Sequence, residues 1–152
     1  MLKNFVIIRK VVSFIIPYIV LYAFYIELNG ESSPGGGFQA GVIFASGIIA
    51  FDLIKGYKET KKFFSSKVLC ICAVLGVIIY ATTGLVSLFF GDNYLNYYSI
   101  AKIFISTDLL EKQSLLKAQH IGIFAVEIGV GLTVASTMCL IYLTLRQNQN
   151  EL

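Results

Sequence analysis

The sequence predicts an all-α integral membrane protein with four transmembrane helices. Hydrophobic residues make up 57% of the 152-residue chain and charged residues only 14%, whereas soluble domains carry about 25% charged residues. The charges also lie between apolar runs of roughly 18 residues or more, a length that crosses a hydrocarbon core of about 30 Å. The scarcity of charged residues and their separation from the long apolar runs therefore both predict an integral membrane protein.

The chain is expected to form a single membrane domain over 1–152. Its four helices are predicted over 11–28, 34–54, 68–90 and 118–145. Five lysines in the segment 55–67, together with Lys3, Arg9 and Lys10, place this segment and the N-terminus in the cytoplasm by the positive-inside rule. Both termini are then cytoplasmic, and the polar linker 29–33 lies on the opposite side.

The first predicted helix follows a short basic segment. Residues 1–10 are similar to the start of a signal peptide, but no small-residue cleavage site follows the apolar run. We therefore expect the run to remain as a membrane helix, with Pro17 placed to bend it in its second turn. We interpret Glu27, which closes this helix, as a solvated group at the far interface.

A proline and three glycines precede the second apolar run. Pro34 is predicted at the first helical position, where its missing N–H would have no intrahelical partner. Ser33 is then placed to cap the free amides. The glycines at 35–37 leave the backbone bare, so that another helix or an ion can approach closely. The start of this helix is therefore predicted to contact a partner.

Small residues form a stripe along the second helix. The stripe has helical spacing and consists of Gly37, Gly41, Ala45, Ile48 and Asp52. Small residues allow membrane helices to pack with their backbones close together, so this face is predicted to meet another helix. Asp52 ends the stripe and is a candidate for an ion path. The alternative is an interfacial acid paired with Lys55.

The third helix is predicted to be uncharged, and a mixed segment follows it. Residues 91–117 alternate apolar pairs with charges after an aromatic-rich turn. This segment is too polar to span a bilayer, and we predict an extracytoplasmic amphipathic element between helices 3 and 4.

The fourth helix carries an acid well inside the membrane. Glu127 is predicted about 15 Å from the outer end at ~1.5 Å per residue. An ionised acid at that depth costs at least about 2.5 kcal/mol, so it requires protonation, a cationic partner or water. His120 lies two turns earlier on nearly the same face, and the two residues are candidates for a proton or cation path. The alternatives are an acid that only fixes packing and an interfacial histidine.

The opposite side of the fourth helix is also lined by small residues. These residues are Gly122, Gly129, Thr133 and Ser136. We therefore expect the fourth helix to be packed on more than one side.

Several function classes are excluded by the sequence. Cys70, Cys72 and Cys139 lack metal-ligand spacing. The cations form no basic stripe interleaved with aromatics, which argues against nucleic-acid binding. The glycine triplet lacks the Lys-Ser/Thr of a phosphate loop, and no nucleophile–base pair stands out. We therefore expect no enzyme activity and no cofactor.

The string SPGGGFQAGVIFA, with Gly30 before it, resembles the signature of the MnhB (MrpB) family of Mrp-type multisubunit Na+/H+ antiporters, which is related to subunits of membrane-bound hydrogenase-type complexes. The residues that carry this motif are Ser33, Pro34, Gly35, Gly36, Gly37, Phe38 and Gly41. Glu127 to Val130 is similar to the acid, apolar residue, Gly and Val of the family's last helix. Two positions depart from the family pattern. Glu31 stands where the family often has His, and Glu127 stands where it often has Asp.

The resemblance implies an accessory subunit of a monovalent cation/proton antiporter in a bacterial inner membrane. Its expected partners are other membrane subunits, including large complex I-like antiporter subunits, with monovalent cations, protons and the lipid bilayer. One alternative is a purely structural subunit of a redox-driven ion-translocating complex. Another is an independent four-helix transporter. Few intramembrane ionisable groups and many small-residue faces favour the accessory subunit.

Overall fold

The computed structural model describes residues 6–30, 34–89, 94–95 and 112–151. Within these residues the regular structure is entirely helical, as predicted. The helices are α1 (Val6–Leu28), α2 (Gly37–Lys55), α3 (Tyr57–Phe63), α4 (Ser66–Phe89) and α5 (Lys112–Glu151).

Four of these helices are long and apolar enough to cross a membrane. The spans are Val6–Leu28, Gly37–Lys55, Ser66–Phe89 and, within α5, His120–Asn148. This result confirms the four-helix membrane class. The cytoplasmic placement of the termini stays a prediction, and most of the segment 91–117 lies outside the described residues.

The start of α2 differs from the expectation. The helix begins at Gly37 with Gly36 as its N-cap residue, so Pro34 precedes the helix and does not open it. The amide of Ala40 donates to the carbonyl of Gly36 at 3.0 Å, which is the first hydrogen bond of the helix. Consecutive glycines have poor helix propensity, and this delays the start until the backbone packs against α5. The predicted cap Ser33 lies outside the described residues.

The helices pack in the order α1, α2, α5, α4. Helix α2 therefore lies between α1 and α5, while α5 lies between α2 and α4. Helix α1 touches α5 only over a short stretch and is mostly exposed along its length. We call the end where α1 stops and α2 begins the glycine-rich end. The opposite end, where α2 leads through α3 into α4, is the lysine-rich end.

The small-residue stripe of α2 packs against α5. All five of its members are buried. A Cβ atom on Gly37 would overlap the carbonyl oxygen of Glu127, and one on Gly41 would lie 2.6 Å from the carbonyl oxygen of Gly131. The two backbones are thus in direct contact, and the predicted helix-facing side of α2 is confirmed.

A second close contact joins α5 to α4. A Cβ atom on Gly129 would lie 2.8 Å from the carbonyl oxygen of Gly76. The hydroxyl of Thr133 donates to the carbonyl of Gly129 at 2.8 Å and lies 3.4 Å from the carbonyl of Ala73 on α4. Helix α5 is therefore packed on two sides, as its small residues predicted.

Cysteines contribute only packing among the described residues. Cys139 is buried with Ala45, Ile48, Leu69 and Leu143 in the apolar core. Cys70 and Cys72, in contrast, lie on more exposed faces of α4. The described residues contain no cluster of His, Cys, Asp or Glu suited to a metal ion.

Replacing Gly41 by Ala should destabilise the helix packing. The added Cβ meets backbone atoms of α5, which are unable to turn aside, so we expect a loss of about 1–3 kcal/mol in the free energy of unfolding. Thermal unfolding in detergent measures the change. Gly47→Ala is the matched control, since its Cβ would make ordinary 3.5 Å contacts with Ile19 and Val20. Equal unfolding temperatures for both variants would contradict the backbone contact.

Candidate functional site

The carboxylate of Glu127 lies against the loop that leads into α2. A Cβ atom on Gly30 would overlap both of its carboxylate oxygens, and one on Gly36 would lie 3.3 Å from Oε1. The space for this carboxylate therefore exists because two loop positions carry no side chain. This arrangement gives the glycine-rich loop a specific neighbour that the sequence pattern did not identify.

A second acid reaches the same region from α1. A Cβ atom on Gly131 would lie 2.8 Å from Oε2 and 3.0 Å from Oε1 of Glu27. Gly131 lies one turn after Glu127 on the same face of α5. The two carboxylates interact electrostatically. Glu27 is half-buried between helices, so its interpretation as a solvated helix end was wrong.

Two carboxylates from different helices, Glu27 of α1 and Glu127 of α5, lie at the glycine-rich end. Like charges repel strongly where the dielectric constant is low. A shared proton or a bound monovalent cation relieves this repulsion, and both are carried by carboxylates inside membranes. The arrangement of Glu27 and Glu127 is thus suited to holding one positive charge at a time.

An apolar cleft of about 520 Å³ lies beside Glu27. Its walls include Phe24 from α1, Phe44 from α2 and Phe124 from α5. Among the described residues that line the cleft, Glu27 is the only ionisable one. The cleft therefore keeps a low-dielectric environment on one side of the Glu27 carboxylate.

His120 lies on α5 beyond Glu127, with an exposed side chain. Seven residues separate the two, which corresponds to about 10 Å along a helix. The structure thus keeps both predicted residues at the glycine-rich end, with His120 further out. Asp52 is not part of this group, because its partner Tyr142 follows Glu127 by fifteen residues, or about 22 Å along α5.

Asp52 forms a separate buried site toward the lysine-rich end. Its side chain is fully buried, and the hydroxyl of Tyr142 donates to Oδ2 at 2.8 Å. The Nε atom of Arg146 lies 3.6 Å from the same oxygen. Within the described residues Oδ1 has no hydrogen-bond partner. These interactions tie the end of the small-residue stripe on α2 to α5.

The expected pairing of Asp52 with Lys55 is not the one observed. Lys55 is exposed, whereas both partners of Asp52 come from α5. Sequence analysis missed Tyr142 and Arg146, because spacing along α2 says nothing about which residues oppose it. Their separation by one helical turn on α5, opposite a stripe that ends in an acid, was the available signal.

Four apolar spans, joined by close backbone contacts at glycines, define a polytopic α-helical membrane protein. Residues 7–140 match the family described as a domain related to the MnhB subunit of Na+/H+ antiporter. The chain belongs to this family, which confirms the resemblance seen in the sequence. It is a multi-pass protein of the bacterial plasma membrane.

Individual relatives align over most of the chain. A putative antiporter subunit mnhB2 of Staphylococcus haemolyticus is 33% identical over 149 residues, which is 95% of this chain and 96% of the relative. The B-type subunit of the Na(+)/H(+) antiporter of Bacillus subtilis is 29% identical over 131 residues, or 85% and 87% of the two chains. A putative mnhB2 of Staphylococcus aureus is 29% identical over 98 residues, covering 64% and 69%.

Replacing Tyr142 by Phe should weaken the tie between α2 and α5. The change removes the hydroxyl that donates to a fully buried carboxylate oxygen. We expect a loss of about 1–3 kcal/mol in the free energy of unfolding, the usual range for a buried group deprived of its partner. Thermal unfolding in detergent measures it, with Tyr18→Phe on the exposed face of α1 as the matched control. A loss no larger than that of the control would refute the tie.

Proposed function

We propose that this chain is an accessory subunit of a multisubunit monovalent cation/proton antiporter, and that Glu127 and Glu27 form one step of its ion path. The observation that carries the proposal is the approach of two carboxylates, from α5 and α1, at the glycine-rich start of α2. The names of the relatives supply the class of transport. The geometry supports the choice of Glu127 and Glu27 and of the proposed chemistry.

The acid pair is suited to exchange one positive charge for another. When the pair holds a proton, the repulsion between the carboxylates is relieved, and the same is true when it holds a monovalent cation. Occupancy by one excludes the other, which is the elementary requirement of antiport at a shared site. His120, further out on α5, is placed to relay protons between this pair and the membrane surface.

Asp52 has a different role in this proposal. It lies about 22 Å further along the α2–α5 interface, without a described acid between it and Glu127 on α5. Its complete burial and its two partners on α5 favour a fixed tie between helices. We therefore assign the ion path to the glycine-rich end, with Asp52 holding the two helices in register.

The partners of the chain are other membrane subunits of the same complex. Large complex I-like antiporter subunits are the expected carriers of the main proton route. The side chain of Phe38 is 62% exposed at the start of α2, and most of α1 also presents apolar side chains outward. These surfaces are available for contact with neighbouring helices as well as with lipid.

Replacing Glu127 by Gln in the intact complex should reduce Na+/H+ exchange. The amide is unable to carry a negative charge, so the site loses its affinity for a cation, and each 1.4 kcal/mol lost is about tenfold. We expect at least about tenfold slower exchange in everted membrane vesicles, with unchanged co-purification of subunits. Glu27→Gln should act in the same direction. Glu59→Gln, an exposed acid on α3, is the control.

Two further variants separate an ion path from a purely structural role. Gly30→Ala adds a Cβ where the Glu127 carboxylate lies, so it should slow exchange without loss of assembly. Phe38→Ala removes an exposed apolar side chain and should weaken co-purification of neighbouring subunits. Gly36→Leu is unsuitable as a docking test, because its side chain would also meet Glu127. Normal exchange in Glu127→Gln, with Phe38→Ala unable to assemble, would establish the structural role instead.

A further inference from the structure

A basic cleft of about 800 Å³ opens at the lysine-rich end. Four lysines at the corner between α2 and α3, together with Arg146 of α5, line it. The lysines are Lys55, Lys58, Lys61 and Lys62. The acid pair at the glycine-rich end makes no use of this cleft, and the two sites lie at opposite ends of the helices.

The walls of the cleft are fixed by the fold. Gly56 ends α2 with a φ of 93°, a conformation that favours glycine, and its amide donates to the carbonyl of Asp52 at 2.8 Å. This turn separates α2 from α3, and the lysines of α3 line the same cleft as Lys55. Thr60 is fully buried, and the hydroxyl of Tyr57 donates to Oε1 of Gln147 at 3.2 Å. Helix α3 is thereby anchored to α5.

Acids near the cleft leave it positively charged. Lys62 pairs with Glu59 at 2.8 Å, and both side chains are exposed. Lys62 holds the pKa of Glu59 below its ordinary value, through a hydrogen bond first and its charge second, so Glu59 is ionised. Asp52 is buried behind Arg146. These two acids offset two of the five cations, and the cleft keeps a surplus of positive charge.

The cleft also lies at the end of the candidate membrane span Gly37–Lys55. Helix α2 ends at its rim, and the described part of α5 passes through Arg146 beside it. At the same corner the ring of Phe63 is 67% exposed and packs edge-on against Phe51, with 6.5 Å between ring centroids. An exposed apolar ring beside lysines suits an interface, because lysine stems lie along apolar surface while their ammonium groups stay in water.

We propose that this cleft binds the phosphate headgroup of an anionic phospholipid. Basic pockets between membrane helices on the cytoplasmic side bind such headgroups, and the position, the charge and the neighbouring rings fit this chemistry. Lysines act as point charges toward phosphate, while Arg146 adds a planar donor group at the back of the cleft. A free phosphate ion or an acidic segment of another subunit would be a competing occupant.

The test compares lipid retention by charge variants of the whole complex. The double variant Lys58→Gln and Lys61→Gln removes two cleft cations. The control, Lys10→Gln and Lys67→Gln, removes two cations at the same end that do not line the cleft. Each complex is reconstituted in nanodiscs that mix phosphatidylglycerol with phosphatidylcholine, and the retained lipids are counted by native mass spectrometry after extraction in mild detergent.

The expected result is preferential retention of phosphatidylglycerol that falls about thirtyfold in the cleft variant and stays unchanged in the control, since each of the two lysines contributes on the order of 1 kcal/mol toward anionic lipid. The retention should also weaken with added salt. Equal retention in both variants would overturn the proposal. Displacement of the lipid by millimolar inorganic phosphate, or crosslinking of a subunit to Lys61 in place of lipid, would overturn it as well by identifying the competing occupant.

Discussion

The fold depends on the backbone of α5 lying in direct contact with two other helices. On one side Gly37 and Gly41 of α2 admit the α5 backbone, and on the other Gly76 of α4 meets Gly129. Lipid tails are as apolar as leucine side chains, so the hydrophobic effect gives membrane helices little reason to associate. Close van der Waals contact between small residues supplies the attraction, and it determines where Glu127 on α5 lies relative to α2.

The same contact explains how an acid is accommodated between helices. The backbone carbonyl of Glu127 faces Gly37. The side chain of Glu127 therefore lies where α2 meets the loop that precedes it. The bare glycine backbone provides polar surface and space there. Glu27, from α1, lies near the same junction. A charged group that would be costly in lipid is thus placed beside polar backbone atoms instead of lipid tails.

The sequence was sufficient to predict the membrane class, the packed face of α2 and the two-sided packing of α5. These follow from local periodicity, because a helix converts residue spacing into a face. It was insufficient for contacts between helices distant in the chain. Nothing near Glu27 indicates that it meets Gly131, and nothing near Asp52 indicates Tyr142. The start of α2 was also misplaced, because backbone packing rather than Pro34 determines where the helix begins.

Helix α1 is held mainly by α2, and only a short stretch of it meets α5. It nevertheless carries Glu27, one of the two acids. The other, Glu127, lies on α5, whose backbone packs directly against glycines of α2 and α4. The distance between the carboxylates therefore depends on how α1 packs against α2. A neighbouring subunit that shifted α1 relative to α2 would change that distance without contacting either acid.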